Sequence, residues 1–211
     1  MDRTLVIGFD LDNTLACYEG IFHQAAVAAN LIPPDVPSGK SAVRDYLRAS
    51  GREDDWTRLQ GQIYGPGMAG AKLFPGAIDV LCAARDHGHA LLIVSHKTRA
   101  PALGPAHDLH AAARAWTDSV LCDTNQSPLF SDGTIHFCET QHEKVARIAN
   151  LNCDVFVDDL PEILNAPDFP ATTRRVLFDP DRVHTDISDD TIVRIDHWNA
   201  LPGVIEHRAD R

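Results

Sequence analysis

The sequence predicts an α/β fold, a Rossmann-like parallel sheet flanked by helices, with a small helical cap inserted near its start. Three observations predict it. Short apolar runs rich in β-formers alternate with helical segments, and that alternation builds a parallel sheet covered by helices. Several of the runs stop at an acidic or hydroxyl residue. Between Cys17 and about Met68 the strand signals lapse, and helix formers and prolines replace them.

Taken in order, Thr4 to Phe9 reads as a buried strand with Asp10 and Asp12 following its end. Phe22 to Leu31 and Lys40 to Ala49 read as helices, separated by Pro33, Pro34 and Pro37. Gly65, Gly67 and Gly70, with Pro66, read as a flexible return link. The expected division is therefore a core of 1–16 and 71–211 with a helical cap of 17–70.

A helix is predicted from Ala77 to His87, then a strand from Ala90 to Val94 with Ser95 and Thr98 just beyond it. Helical patterns recur at Ala106 to Trp116 and Glu143 to Asn150. The second is opened by Thr140-Gln141-His142-Glu143, a capping-box sequence that puts Lys144 in the first turn. Val155 to Val157, ending in Asp158-Asp159, and Arg175 to Phe178, ending near Asp179, complete the predicted strands. In such a sheet ligands lie beyond the strands' carboxyl ends, where Asp10, Asp12, Ser95, Asp158 and Asp159 would converge.

Bulk properties narrow the function. At 211 residues, 44% hydrophobic and 23% charged, the chain suits one core plus a modest insertion. A formal charge of -11 without a basic stripe argues against nucleic acid as a partner. Five cysteines without a CxxC pair read as reduced thiols rather than a disulfide framework. Leu5 to Phe9 is too short for a secretory or membrane segment, so a soluble cytoplasmic protein without membrane contact, monomer or homodimer, is expected.

Asp10 and Asp12, at i and i+2 after a strand, suit a carboxylate nucleophile beside a proton donor. Carboxylates crowded together repel one another and a phosphate dianion, which calls for a hard, oxygen-seeking cation such as Mg²⁺. Asp10, Asp158 and Asp159 are the candidate ligands. Ser95 and Lys144 supply fixed donors for phosphoryl oxygens.

Asp10-x-Asp12-x-Thr14, Ser95 after an apolar strand, Lys144 at a helix start and Val157-Asp158-Asp159 together resemble the four ordered motifs of the haloacid dehalogenase superfamily of phosphohydrolases. The resemblance covers roughly residues 4 to 180, with the insertion between the first and second motifs, where helical caps occur. It implies Asp10 as nucleophile, Asp12 as acid/base and backbone-carbonyl Mg²⁺ ligand, and Ser95 and Lys144 as phosphate binders. It implies Asp159 as direct metal ligand, with Asp158 acting through water or orientation. The superfamily's dehalogenases lack an aspartate at the position of Asp12, so phosphoryl transfer is implied over carbon–halogen cleavage. Ser95-His96-Lys97-Thr98 and Val157 to Glu162 resemble a bacterial branch associated with surface-polysaccharide genes.

Other patterns carry less. Gly39-Lys40-Ser41 lacks the first glycine and the preceding strand of a phosphate-binding loop. His136 and Cys138, with Cys122 nearby in sequence, lack a fourth ligand for zinc and read as packing. His107 and His110, at i and i+3, read as solvated helix residues. Lys97 and Arg99 after Ser95 are the candidates for holding a second phosphate or a carboxylate of a substrate, and Arg44 in the insertion is a candidate for gripping the substrate. The expected activity is Mg²⁺-dependent hydrolysis of a small phosphomonoester, with a cap closing over the crevice. Phosphotransfer to a sugar hydroxyl and a non-catalytic, receiver-like or metabolite-binding module are the alternatives.

Overall fold

The computed structural model describes residues 3–185 and 189–209. Its strands in chain order are β1 (Val6–Phe9), β2 (Ala16–Cys17), β3 (Lys72–Leu73), β4 (Ala90–His96), β5 (Ile135–Cys138), β6 (Val155–Asp158), β7 (Arg174–Phe178) and β8 (Ile192–Ile195). The helices are α1 (Ile21–Ala28), α2 (Lys40–Ala49), α3 (Glu53–Tyr64), α4 (Ala77–Asp86), α5 (Leu109–Val120), α6 (Gln141–Asn150), α7 (Pro161–Leu164) and α8 (Leu201–Ala209). Residue contacts divide the chain into two units. The first comprises Met1–Ala16, Leu73–His96 and Asp118–Arg211, and the second Cys17–Lys72 and Lys97–Thr117.

The first unit is built on a six-stranded sheet in the order β5-β4-β1-β6-β7-β8, with every pair parallel. From β1 the chain builds outward through β4 to β5, then returns to the other flank of β1 and continues through β6, β7 and β8. The switch point therefore falls between β1 and β6, where a crevice opens at the carboxyl ends. Ile7, Gly8 and Phe9 lie opposite Val155, Phe156 and Val157.

Because side chains alternate along a strand, both faces of the sheet are apolar. Leu92, Val94, Phe156 and Leu177 pack with Val145 and Ile148 of α6 and Ile163 and Leu164 of α7. Phe9 and Phe178 pack against Trp198, with ring centroids 5.7 and 5.6 Å away. Gly8 is required by close approach: a Cβ there would lie 2.6 Å from Phe156 Cδ2 and 3.0 Å from Cys153 Sγ.

The four predicted strands are present, with one difference that matters. β4 continues through Ser95 and His96, which pair with Phe137 and Cys138 of β5, so Ser95 is a strand residue rather than a loop residue. β5 and β8 were not predicted as sheet members. His136 lies on β5 with buried Cys138, and Cys122 donates its thiol to the Asp118 carbonyl. Among the described residues, the only cluster of three or more potential metal-binding side chains is the aspartate group described below.

α6 begins as the capping box requires. The Glu143 backbone N–H donates to Thr140 Oγ1 at 3.1 Å, and the Thr140 N–H donates back to Glu143 Oε2 at 3.3 Å. Thr140→Ala is expected to lower stability by about 1 kcal/mol, read from a urea unfolding midpoint, and an unchanged midpoint would show that the cap contributes nothing.

In the second unit, α1, α2 and α3 enclose an aromatic cluster. Phe22 stands with its ring centroid 5.3 Å from Trp56 and 5.8 Å from Tyr64, and Tyr18 lies edge-on to Tyr64 at 5.3 Å. α2 matches its predicted bounds, while α3 was unpredicted, since its polar sequence shows only Trp56, Leu59, Gly61 and Ile63 to the interior. Pro66–Gly70 forms a 3-10 turn in place of a flexible link. Residues 97–117, expected with the core, group with this unit: Trp116 Nε1–H donates to the Ala71 carbonyl at 2.9 Å. α5 starts at Leu109 because Asp108 Oδ1 accepts the Ala111 N–H. His107 is therefore outside the helix, and the predicted shared face of His107 and His110 does not exist.

Candidate active site

The site grows from the end of β1. Asp10 is the first residue past the strand, and its N–H donates to the Val157 carbonyl at 2.9 Å, locking it to β6. The chain then turns back tightly: the N–H groups of Leu15 and Ala16 both donate to the Leu11 carbonyl. Asn13 takes a left-handed φ of 61° to allow it. This turn holds Asp12 half-buried two residues beyond Asp10 and sends Thr14 inward, where its hydroxyl donates to Asp159 Oδ1 at 3.3 Å. Thr14 was part of the sequence pattern without an assigned role, and holding Asp159 is what the structure gives it.

Asp158 ends β6 and is fully buried. Its Oδ1 accepts the Leu160 N–H at 3.0 Å, while Oδ2 lies 2.7 Å from Lys144 Nζ. Lys144, delivered by the first turn of α6, also donates to Asp10 Oδ1 at 2.5 Å. Carboxylate oxygens of Asp10, Asp158 and Asp159 all lie within 4.8 Å of one another. Ser95 is buried. Its hydroxyl makes no well-aligned hydrogen bond, yet it is near enough to Asp10 to help hold that acid's pKa down.

Burial governs the electrostatics. It pushes the Asp10 carboxyl above the usual carboxylate range, against the Lys144 charge that pulls it down, with Asp12 adding to the rise. Burial likewise pushes Asp158 up to about 7, opposed by Lys144 and reinforced by Asp10. For Lys144 burial favours the neutral amine, but the charges and hydrogen bonds of Asp10 and Asp158 together outweigh it, so its pKa is raised and it stays an ammonium. One ammonium facing three close carboxylates leaves the cluster short of positive charge. An all-oxygen donor set of this spacing fits a hard divalent cation.

Five of the sequence-predicted residues, Asp10, Asp158, Asp159, Lys144 and Ser95, are thus brought together, with Asp12 two residues from Asp10. The three substrate candidates belong to the second unit. Arg44 pairs with Asp45 at 2.8 Å and Arg99 with Asp108 at 3.2 Å, both near the surface. Lys97 is buried, with its ammonium 4.9 Å from the ring centroid of Tyr64. Among the described residues no helix is long and apolar enough to cross a membrane.

No family model matches the sequence, and no curated protein matches it. Solved structures do. A family IA variant 3 HAD hydrolase from Entamoeba histolytica aligns with a TM-score of 0.59 at 12% identity, covering 98% of both chains. A HAD family hydrolase from Deinococcus radiodurans, solved with bound phosphate and sodium, aligns at 0.56 with 16% identity over 99% of this chain and 97% of its own. A putative HAD-hydrolase from Bacillus subtilis, bound to magnesium, aligns at 0.51 with 12% identity over 96% and 99%. At such identities the likeness is one of fold, and it runs the length of the chain. This chain has the fold of the haloacid dehalogenase-superfamily hydrolases.

Proposed function

We propose that the chain is a Mg²⁺-dependent phosphohydrolase that moves a phosphoryl group from a small phosphomonoester to Asp10 and then to water. The observation that carries this is the close group of Asp10, Asp158 and Asp159 at the sheet's switch point, the first two bridged by the Lys144 ammonium. Fold-mates solved with phosphate and with magnesium support it.

Asp10, Asp159 and the Asp12 carbonyl would hold the cation, with Asp158 orienting it directly or through water; when bound, it neutralises charge on the transferring phosphoryl group. Lys144 holds the Asp10 carboxylate ionised and aimed. An Asp10 oxygen attacks phosphorus and the ester P–O bond breaks, while Asp12 delivers a proton to the leaving alkoxide. Asp12 then takes a proton from a water, which attacks the aspartyl phosphate. Inorganic phosphate leaves and Asp10 is restored. The Ser95 hydroxyl, buried without a well-aligned partner, donates to a phosphoryl oxygen throughout.

Phosphate release from sugar phosphates, nucleotides and an aryl phosphate tests this. Turnover is expected with Mg²⁺ and is expected to fall to background in EDTA. Undiminished turnover in EDTA would remove the metal from the scheme, and phosphate appearing only on an added sugar would mean phosphotransfer.

A further inference from the structure

The second unit contains a cavity whose lining comes entirely from its own residues. It measures about 350 Å³, with Val27, Ile32, Pro33 and Tyr46 supplying apolar lining and Asn30 and Arg52 polar lining. Ligand pockets combine these ingredients, a mostly apolar wall with a few fixed polar groups, and this volume lies at the small end of their range.

The lining is held in place by the chain itself. Arg52 ties three elements together: its backbone N–H donates to the Leu47 carbonyl of α2 at 2.8 Å, Nη1 to the Leu31 carbonyl beyond α1 at 2.9 Å, and Nε to Asp55 of α3 at 2.7 Å. Asn30 takes a left-handed φ of 54°, and its N–H donates to the Val27 carbonyl at 2.9 Å. Donor capacity is left over. Among the described residues, neither Arg52 Nη2 nor the Asn30 side-chain amide makes a hydrogen bond. Asp55, the partner of Arg52, is shared with Arg58 at 3.3 Å. Tyr46 is 39% exposed, one of three large apolar side chains standing so far out among the described residues. A ligand covering its ring would remove apolar surface from water.

We propose that this cavity binds a small carboxylic acid with an apolar body. The carboxylate accepts hydrogen bonds from Arg52 Nη2 and the Asn30 amide, and the body rests against Tyr46, Ile32 and Pro33. The unit counts nine Lys and Arg against seven Asp and Glu, so it attracts an anion although the chain as a whole carries -11. A cationic ligand would oppose the guanidinium, and a bare phosphate would gain nothing from the apolar lining. The site does not depend on the phosphohydrolase activity, because none of its residues belongs to the aspartate group.

The test titrates the ¹⁵N-labelled full chain, in Mg²⁺ buffer, with phenylacetate and with its neutral analogue phenylacetamide, following backbone amide shifts. Phenylacetate is expected to saturate shifts at Asn30, Leu31, Tyr46 and Arg52 with a Kd of about 1 mM, the scale for a ligand of roughly ten non-hydrogen atoms. Phenylacetamide is expected to bind about tenfold more weakly, the usual loss for a charged hydrogen bond. Arg52 also holds the helices together, so the variants are chosen elsewhere. Asn30→Gly keeps the left-handed turn and removes the amide, and is expected to raise Kd about fivefold. Val27→Phe fills the cavity and is expected to raise it about tenfold or more. Absence of saturable shifts at these residues, shifts confined to the surroundings of Asp10 and Asp159, equal binding of acid and amide, or binding unchanged in both variants overturns the site.

Discussion

Asp10→Asn is expected to lower phosphate release by at least about 10³-fold, since an amide neither attacks phosphorus nor forms the acyl phosphate. The substitution preserves shape and removes a charge whose burial is unfavourable, as the raised pKa of Asp10 records. Lys144 keeps Asp158 as a partner at 2.7 Å. Stability should therefore stay within about 1 kcal/mol of wild type, so activity and fold separate. Phosphate release and thermal melting on the same sample check this. A folded Asp10→Asn protein that still turns over would exclude Asp10 as nucleophile.

Lys144→Met carries the largest expected stability loss. It leaves Asp10 and Asp158 buried beside each other without the ammonium that bridges them. Removing one partner of a buried ion pair commonly destabilises by about 3–5 kcal/mol. The loss should be largest near pH 8 and shrink toward pH 5, where the carboxyls protonate and need no counter-charge. Wild type has a milder form of the same dependence. Asp158 is raised to about 7 when folded, against about 3.9 for an unfolded aspartate. Folded chains thus bind more protons than unfolded ones between those values, and metal-free stability falls as pH rises from roughly 4 to 7. Urea midpoints at pH 5 and 8, for both proteins without metal, measure the effect, and a Lys144→Met deficit independent of pH would show that carboxylate repulsion is not its source.

Much of this was legible in the sequence because the central strands announce themselves. Val6 to Phe9, Ala90 to Val94 and Val155 to Val157 are apolar on both faces, as strands buried under helices must be, and their ends bear the reactive residues. The edges were less legible. β5 carries His136 and β8 carries Arg194, because an edge strand meets water and need not be uniformly apolar. α3 was hidden by its charged first turn of Glu53, Asp54 and Asp55. Asp10, Asp158, Asp159, Lys144 and Ser95 could be named from their places at strand ends and a helix start together with the four-motif resemblance, whereas Thr14's bond to Asp159 and the seating of Lys97 against Tyr64 depend on tertiary geometry that no local pattern encodes.

The place of β1 at the middle of the sheet also sets a timetable for synthesis. Its flanking partners are β4 and β6, and the Lys144 that meets Asp10 lies 134 residues further along the chain. A nascent chain therefore emerges with a central apolar strand first and must wait for most of the remaining sequence before both edges of that strand are covered. Long-range parallel pairing of this kind is slow and exposes sticky edges meanwhile. A ribosome that stalls before Val155 would release a chain with an open β1 edge and an incomplete set of aspartates, a product fit for aggregation or degradation rather than for residual catalysis.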